Sequence, residues 1–86
     1  MGLLTTLTGH NHQARTVAYS SDGRLLVSGS DDGTVRIWDT RTGEEAMSPL
    51  RSGDGEVFSV SFAPNGRSIA SATHDGPVRI WNLETG

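Results

Sequence analysis

Three side-chain types that together perform nucleophilic catalysis stand in the first half of the sequence: a hydroxyl at Ser28, an imidazole at His10 and a carboxylate at Asp32. A serine attacks a carbonyl only when an imidazole takes its proton, an acid orients that imidazole and N–H donors hold the oxyanion. No oxyanion-hole candidate accompanies Ser28, so the hydrolase reading ranks last. His10 and His12, with His74–Asp75 further on, raise the question of a metal. No His/Cys cluster has the spacing of a zinc site, and neither a metal nor a cofactor is expected. Arg36 and Arg79, each opening an Arg-Ile-Trp step, are candidates to hold an anion. An arginine stem packed along a strand with its head in solvent is the simpler expectation.

The elements that must position these groups follow from an internal repeat. Trp38 and Trp81 are 43 residues apart, as are Asp32 and Asp75, Gly33 and Gly76, Ser28 and Ser71, Gly23 and Gly66, and Leu7 and Leu50. The segment GSDDGTVRIWDTRTG returns as ATHDGPVRIWNLETG without a gap, so the chain divides into repeats 1–43 and 44–86. A fixed period of this length signals stacked supersecondary units. Within the first period, Leu3 to Thr8, Thr16 to Ser20, Leu25 to Ser30 and Val35 to Asp39 read as short strands. Asp22–Gly23, Asp32–Gly33, Asn65–Gly66 and Asp75–Gly76 supply the positive φ of tight hairpins, and two-residue turns are expected there. No segment sustains a helical apolar spacing, so the fold class is all-β.

Composition limits the rest. A chain of 86 residues buries only about 60–65% of its unfolded surface and is marginal alone. It has no cysteine to staple it, which also leaves no mark of an oxidising compartment. The net charge of −3, with all seven basic residues arginine, gives no concentrated patch for nucleic acid. No apolar run is long enough to span a membrane and no secretory leader opens the chain, so the expectation is a soluble, cytoplasmic protein.

Gly9–His10, SSDGR, SGSDDGT and Trp38–Asp39 in the first repeat, with FAPNGR, ASATHDG and VRIW in the second, resemble the WD-repeat family over the whole chain. Where the family has Gly-His, the second repeat has Ser52–Gly53, and its closing pair is Trp81–Asn82. The style of the repeats also resembles long propeller arrays downstream of nucleotide-binding domains in some fungal and bacterial proteins. The resemblance implies four-stranded antiparallel blades, two per chain, set radially in a β-propeller. It implies a sequence repeat offset from the blade, with strands running d–abc–d–abc and the second d strand, around Ala46 to Arg51, completing the first blade. It also implies that His10, Ser28, Asp32 and Trp38 form a structural network, incomplete in the second repeat, which retains Ser71, Asp75 and Trp81.

In the family, positions at the start of the first blade strand and before the network aspartate look out from the top face. Here these are Gln13, Arg15 and Asp31, and Glu56, Phe58 and His74; they differ in every pair while scaffold positions match. The leading function is therefore a non-enzymatic scaffold that binds a peptide or protein on this face. Two blades leave sheet faces and an edge uncovered, and closed symmetry covers them. The expectation is a homo-oligomeric ring of four chains and eight blades, with three chains as the runner-up. Leu3, Leu4, Thr5, Thr6 and Leu7 of one copy would lie beside Val78, Arg79, Ile80 and Trp81 of the next. The competing class is an inert truncated or designed propeller piece without a ligand.

Overall fold

The structure, a computed structural model, describes residues 7–10, 13–51, 55–74 and 76–84. Seven strands follow in order: β1 (Ala14–Tyr19), β2 (Leu25–Ser30), β3 (Thr34–Asp39), β4 (Leu50–Arg51), β5 (Val57–Phe62), β6 (Ser68–Thr73) and β7 (Val78–Asn82). They form two antiparallel meanders, β1-β2-β3-β4 and β5-β6-β7. Of the two four-stranded blades expected, the first has its four strands and the second has three among the described residues. The fourth strand of the first sheet comes from the second sequence repeat. It is shorter than Ala46 to Arg51, because Pro49 has no N–H to give to a ladder. Pairing is confined to Leu50–Arg51 and an isolated bridge between Glu45 and Trp38. Residues 3–6 lie outside the described residues, and Leu7 belongs to no strand.

The two sheets pack through β5 onto β1 and β2. Val27, Val35 and Ile37 from the first sheet meet Val57, Val60 and Ile69 from the second in one buried cluster. Val35 and Ile37 alternate along β3, as a pleated strand with one face on a core requires, whereas Val57 and Val60 are three residues apart on β5 because its ladder slips between Val57 and Ser59. Gly29 lies where β2 comes closest to β5: a Cβ there would collide with the Val57 side chain and stand 2.9 Å from Thr16 Cγ2.

The turns depart from the two-residue hairpins expected. β1 and β2 are joined by residues 20–24, and β2 and β3 by residues 31–33. A type I′ turn needs positive φ at both central residues, and no non-glycine residue described has one; positive φ falls on glycines, Gly23, Gly33, Gly66 and Gly76 among them. Before Gly23, Gly33 and Gly66 the preceding residue acts instead as a turn former. Asp22 Oδ1 accepts the Arg24 N–H at 3.0 Å, and Asn65 Oδ1 accepts that of Arg67 at 2.9 Å.

Candidate functional site

Ser28 on β2 and Trp38 on β3 project from the same sheet face, and residues 9–10 cross it. Gly9 allows that approach, since a Cβ there would stand 3.0 Å from Trp38 Cη2. The Trp38 indole N–H donates to Ser28 Oγ at 2.8 Å, and Ser28 Oγ lies 2.6 Å from His10 Nε2. With Trp38 occupying one side of the hydroxyl oxygen, the serine proton goes to Nε2, and the network assigns the imidazole proton to Nδ1. Nδ1 is 3.2 Å from Thr34 Oγ1 and 3.6 Å from Asp32 Oδ2, while Thr34 Oγ1 donates to Asp32 Oδ1 at 2.6 Å. The link from imidazole to carboxylate therefore runs mainly through Thr34, a member absent from the sequence reading. A signal for it was present: the second repeat loses the histidine and the threonine together, with Gly53 in the place of His10 and Pro77 in the place of Thr34.

Burial is the largest influence on His10 and lowers its pKa below the ordinary 6.5, with the Asp32 carboxylate acting in the opposite sense. Ser28 is 3% exposed and its oxygen already accepts the indole N–H, so this hydroxyl does not face a substrate. In the second sheet, Trp81 Nε1 donates to Ser71 Oγ at 3.0 Å. Asp75 and His12 lie outside the described residues. Among the described residues no three His, Cys, Asp or Glu side chains gather as a metal site.

At the end of the strands that carries the Asp31–Asp32 turn, the two sheets share an open cleft of about 360 Å³ lined by Arg15, Glu56, Phe58 and His74. One backbone device aims two of these residues. The β1–β2 ladder slips between Ala14 and Thr16, and the β5–β6 ladder slips between Val57 and Ser59. Arg15 and Phe58 are thus the bulged residues of equivalent strands, and a bulge turns its side chain away from the regular pleat. Period-two patterning carries no sign of a bulge, which explains why sequence reading could name the residues without the mechanism.

Arg15 is fixed by a two-point bond to Asp31, Nε to Oδ1 at 2.6 Å and Nη2 to Oδ2 at 2.9 Å, and Nη2 reaches Glu56 Oε2 at 3.1 Å. Asp31 raises the Arg15 pKa still further above its ordinary value. Ion pairs this exposed add little stability, but they hold the guanidinium in place across the two sheets. Phe58 stays half exposed. Gln13 is placed differently: its backbone oxygen accepts the Asp31 N–H and the Ser30 hydroxyl, and its side chain does not line the cleft.

The expectation that the Arg36 head lies in solvent is corrected by the structure. Arg36 is buried, and its Nη1 donates to Glu45 Oε2 at 2.9 Å, because the segment leading into β4 returns across the face that carries it. Val78, Arg79, Ile80 and Trp81 lie on β7, whose outer edge carries no strand among the described residues. Val78 and Ile80 are 66% and 71% exposed, whereas their first-repeat counterparts Val35 and Ile37 are 0% and 1%. No helix of the described residues is long and apolar enough to cross a membrane.

The family model for "WD domain, G-beta repeat" matches residues 1–39 and 47–82. The chain is 53% identical over 38 residues to vegetative incompatibility protein HET-E-1 of Podospora anserina, a match covering 44% of this chain and 3% of that protein. It is 42% identical over 53 residues to the ribosome biogenesis protein erb1 of Neosartorya fischeri, covering 62% of this chain and 7% of that one. It is 54% identical over 37 residues to small ribosomal subunit protein RACK1z of Oryza sativa, covering 43% and 11%. The chain thus spans only a small fraction of the length of the curated relatives it matches.

Proposed function

We propose that this chain, which belongs to the WD domain, G-beta repeat family, is a non-enzymatic interaction scaffold: a pair of adjoining propeller blades that holds a peptide or protein in the cleft between them. The observation that carries this reading is the cleft itself. Equivalent bulges bring a pinned arginine and a half-exposed phenylalanine to one opening, between side chains that differ in every repeat pair. Repeats 1–43 and 44–86 supply the scaffold, and the His10–Ser28–Trp38 network, extended through Thr34 to Asp32, fixes its geometry. A fully satisfied buried network of this kind specifies one arrangement of the strands that carry it. An anchor ring flanked by charges is the surface type on which binding energy concentrates.

A peptide library selected on the immobilised chain tests this. Selected peptides are expected to lose binding to the Arg15→Ala, Phe58→Ala double variant and to keep it when Ser48 is changed to alanine. Equal binding to the double variant would overturn the cleft as the site.

A second reading concerns what covers the outer faces. Val17 and Tyr19 on β1, and Val78 and Ile80 on β7, are exposed apolar side chains at opposite ends of the pair. Their counterparts Val60 and Ile37 are buried where the two sheets of this chain meet, so one end of the pair repeats the surface that the other end is built to cover. For the 86-residue polypeptide alone, further blades come only from other copies. Complete chains contribute blades in pairs, and the ring proposed is four chains with eight blades, a trimer being the smaller alternative. Leu3 to Leu7 of one copy would then lie along Val78 to Trp81 of the next.

A further inference from the structure

The two sheets end differently, and one side chain registers the difference. Along the outer edge of β3, Leu50 and Arg51 pair with Val35 and Thr34, and the Ala46 N–H donates to the Ile37 oxygen at 2.8 Å. Glu45 in the same segment accepts from Arg36 Nη1. β7 carries the counterparts of Val35, Arg36 and Ile37, namely Val78, Arg79 and Ile80, without a covering strand among the described residues, and Pro77 stands in the place of Thr34 just before it. Arg79 Nη1 is shielded from water and has no hydrogen-bond partner among those residues. Arg36 leaves its Nε without one as well, so the contrast between the two arginines is confined to the terminal nitrogen, where Glu45 sits in the first sheet.

We infer that the outer edge of β7 is selective for an added strand of a partner polypeptide, antiparallel to β7, that brings a carboxylate to Arg79 and an aliphatic residue five positions later opposite Val78. Main-chain bonds supply attachment in strand addition, and side-chain placement supplies selectivity. The carboxylate is the selective element because a charge-assisted bond to a shielded guanidinium N–H replaces an unmet donor. The aliphatic residue takes the place of Leu50, which packs against the core cluster. Residues 3–8 of another copy, Leu-Leu-Thr-Thr-Leu-Thr, offer no carboxylate, so an acidic strand binds this edge in preference to them. The inference does not depend on the ring.

The test joins a copy of residues 44–51 after Gly86, the counterpart of the Gly43 that precedes them in the first repeat. A second version carries alanine for the glutamate that copies Glu45. The reporter is amide hydrogen exchange at Asn82, whose counterpart Asp39 donates its N–H to the Glu44 oxygen at 2.8 Å. The acidic extension is expected to slow exchange at Asn82 by about tenfold or more relative to the alanine extension. Arg79→Met in the body should abolish that difference. Equal protection by the two extensions, or an undiminished difference with Arg79→Met, would overturn the inference. The comparison of extensions in the unaltered body stands by itself if Arg79→Met does not fold. A monomeric unextended chain would refute the ring and leave this comparison unaffected.

Discussion

Replacing His10 with alanine removes the joint of the buried network. Ser28 Oγ keeps the Trp38 N–H but loses the acceptor of its own proton, now 2.6 Å away. A buried hydroxyl left without that partner costs about 1–3 kcal/mol. Thr34 retains its bond to Asp32, so that end of the network contributes little to the loss. The edge-on contact between imidazole and indole, with centroids 6.3 Å apart and planes inclined at 67°, adds roughly 0.5–1.5 kcal/mol. The expected total is about 2–4 kcal/mol, a large share of the stability of a chain this size, which is on the order of 4–13 kcal/mol. Urea unfolding at pH 7.5 reads it directly. With a slope of about 1 kcal/mol per molar, the midpoint should fall by about 2 M or more. Protein concentration must be held fixed, since association makes such midpoints concentration-dependent. The pH dependence supplies a second arm. The folded state holds the His10 pKa below 6.5, so the unfolded chain takes up a proton that the folded chain resists. The contribution of neutral His10 is complete above about pH 6.5 and is lost as pH falls from there toward the folded-state value. Wild type and His10→Ala should therefore converge on acidification. A loss below about 0.5 kcal/mol at pH 7.5, the range of an ordinary surface substitution, or midpoints that diverge in acid, would refute the network.

Ser28→Ala should cost more than Ser71→Ala, by about 1 kcal/mol, because Ser28 serves both Trp38 and His10 whereas Ser71 is bonded to Trp81; thermal melts of the two variants compare them. Gly29→Ala should destabilise by about 1–3 kcal/mol through overpacking against Val57, and β5 amides should exchange faster. Gly23→Ala has open space but a φ of 76°, so it should cost about 1 kcal/mol from the backbone alone, with β5 exchange unchanged.

Much of the fold was legible because the repeat says the same thing twice. Leu25 to Ser30 reads as a strand from its Val and Leu content and from the Asp–Gly steps around it, and β2 has those bounds. The four-stranded order of the first sheet was legible from the family resemblance and not from propensity, since Glu44 to Arg51 has no strand pattern of its own. Its pairing depends on tertiary partners, Trp38 and Val35, that no local window contains. The residues of the cleft were named from repeat positions that vary, but their aim depends on two bulges, and a bulge is a slip between strands that neither strand's sequence announces. Thr34 was missed because a threonine beside a strand start looks like ordinary β-propensity. Its role emerges only when the 3.6 Å gap between His10 and Asp32 is seen to be too long for a direct hydrogen bond. The Arg36–Glu45 pair was missed for a related reason: nothing in the spacing of the two residues shows that the chain doubles back between them.

Native mass spectrometry of the 86-residue polypeptide tests most directly whether this is a pair of blades whose outer faces must be covered by further blades. The account predicts a discrete assembly of complete chains, four copies carrying eight blades, that persists on dilution better than a nonspecific aggregate does. A monodisperse monomer with native β-sheet signal, retaining Val78 and Ile80 in solvent, would contradict it.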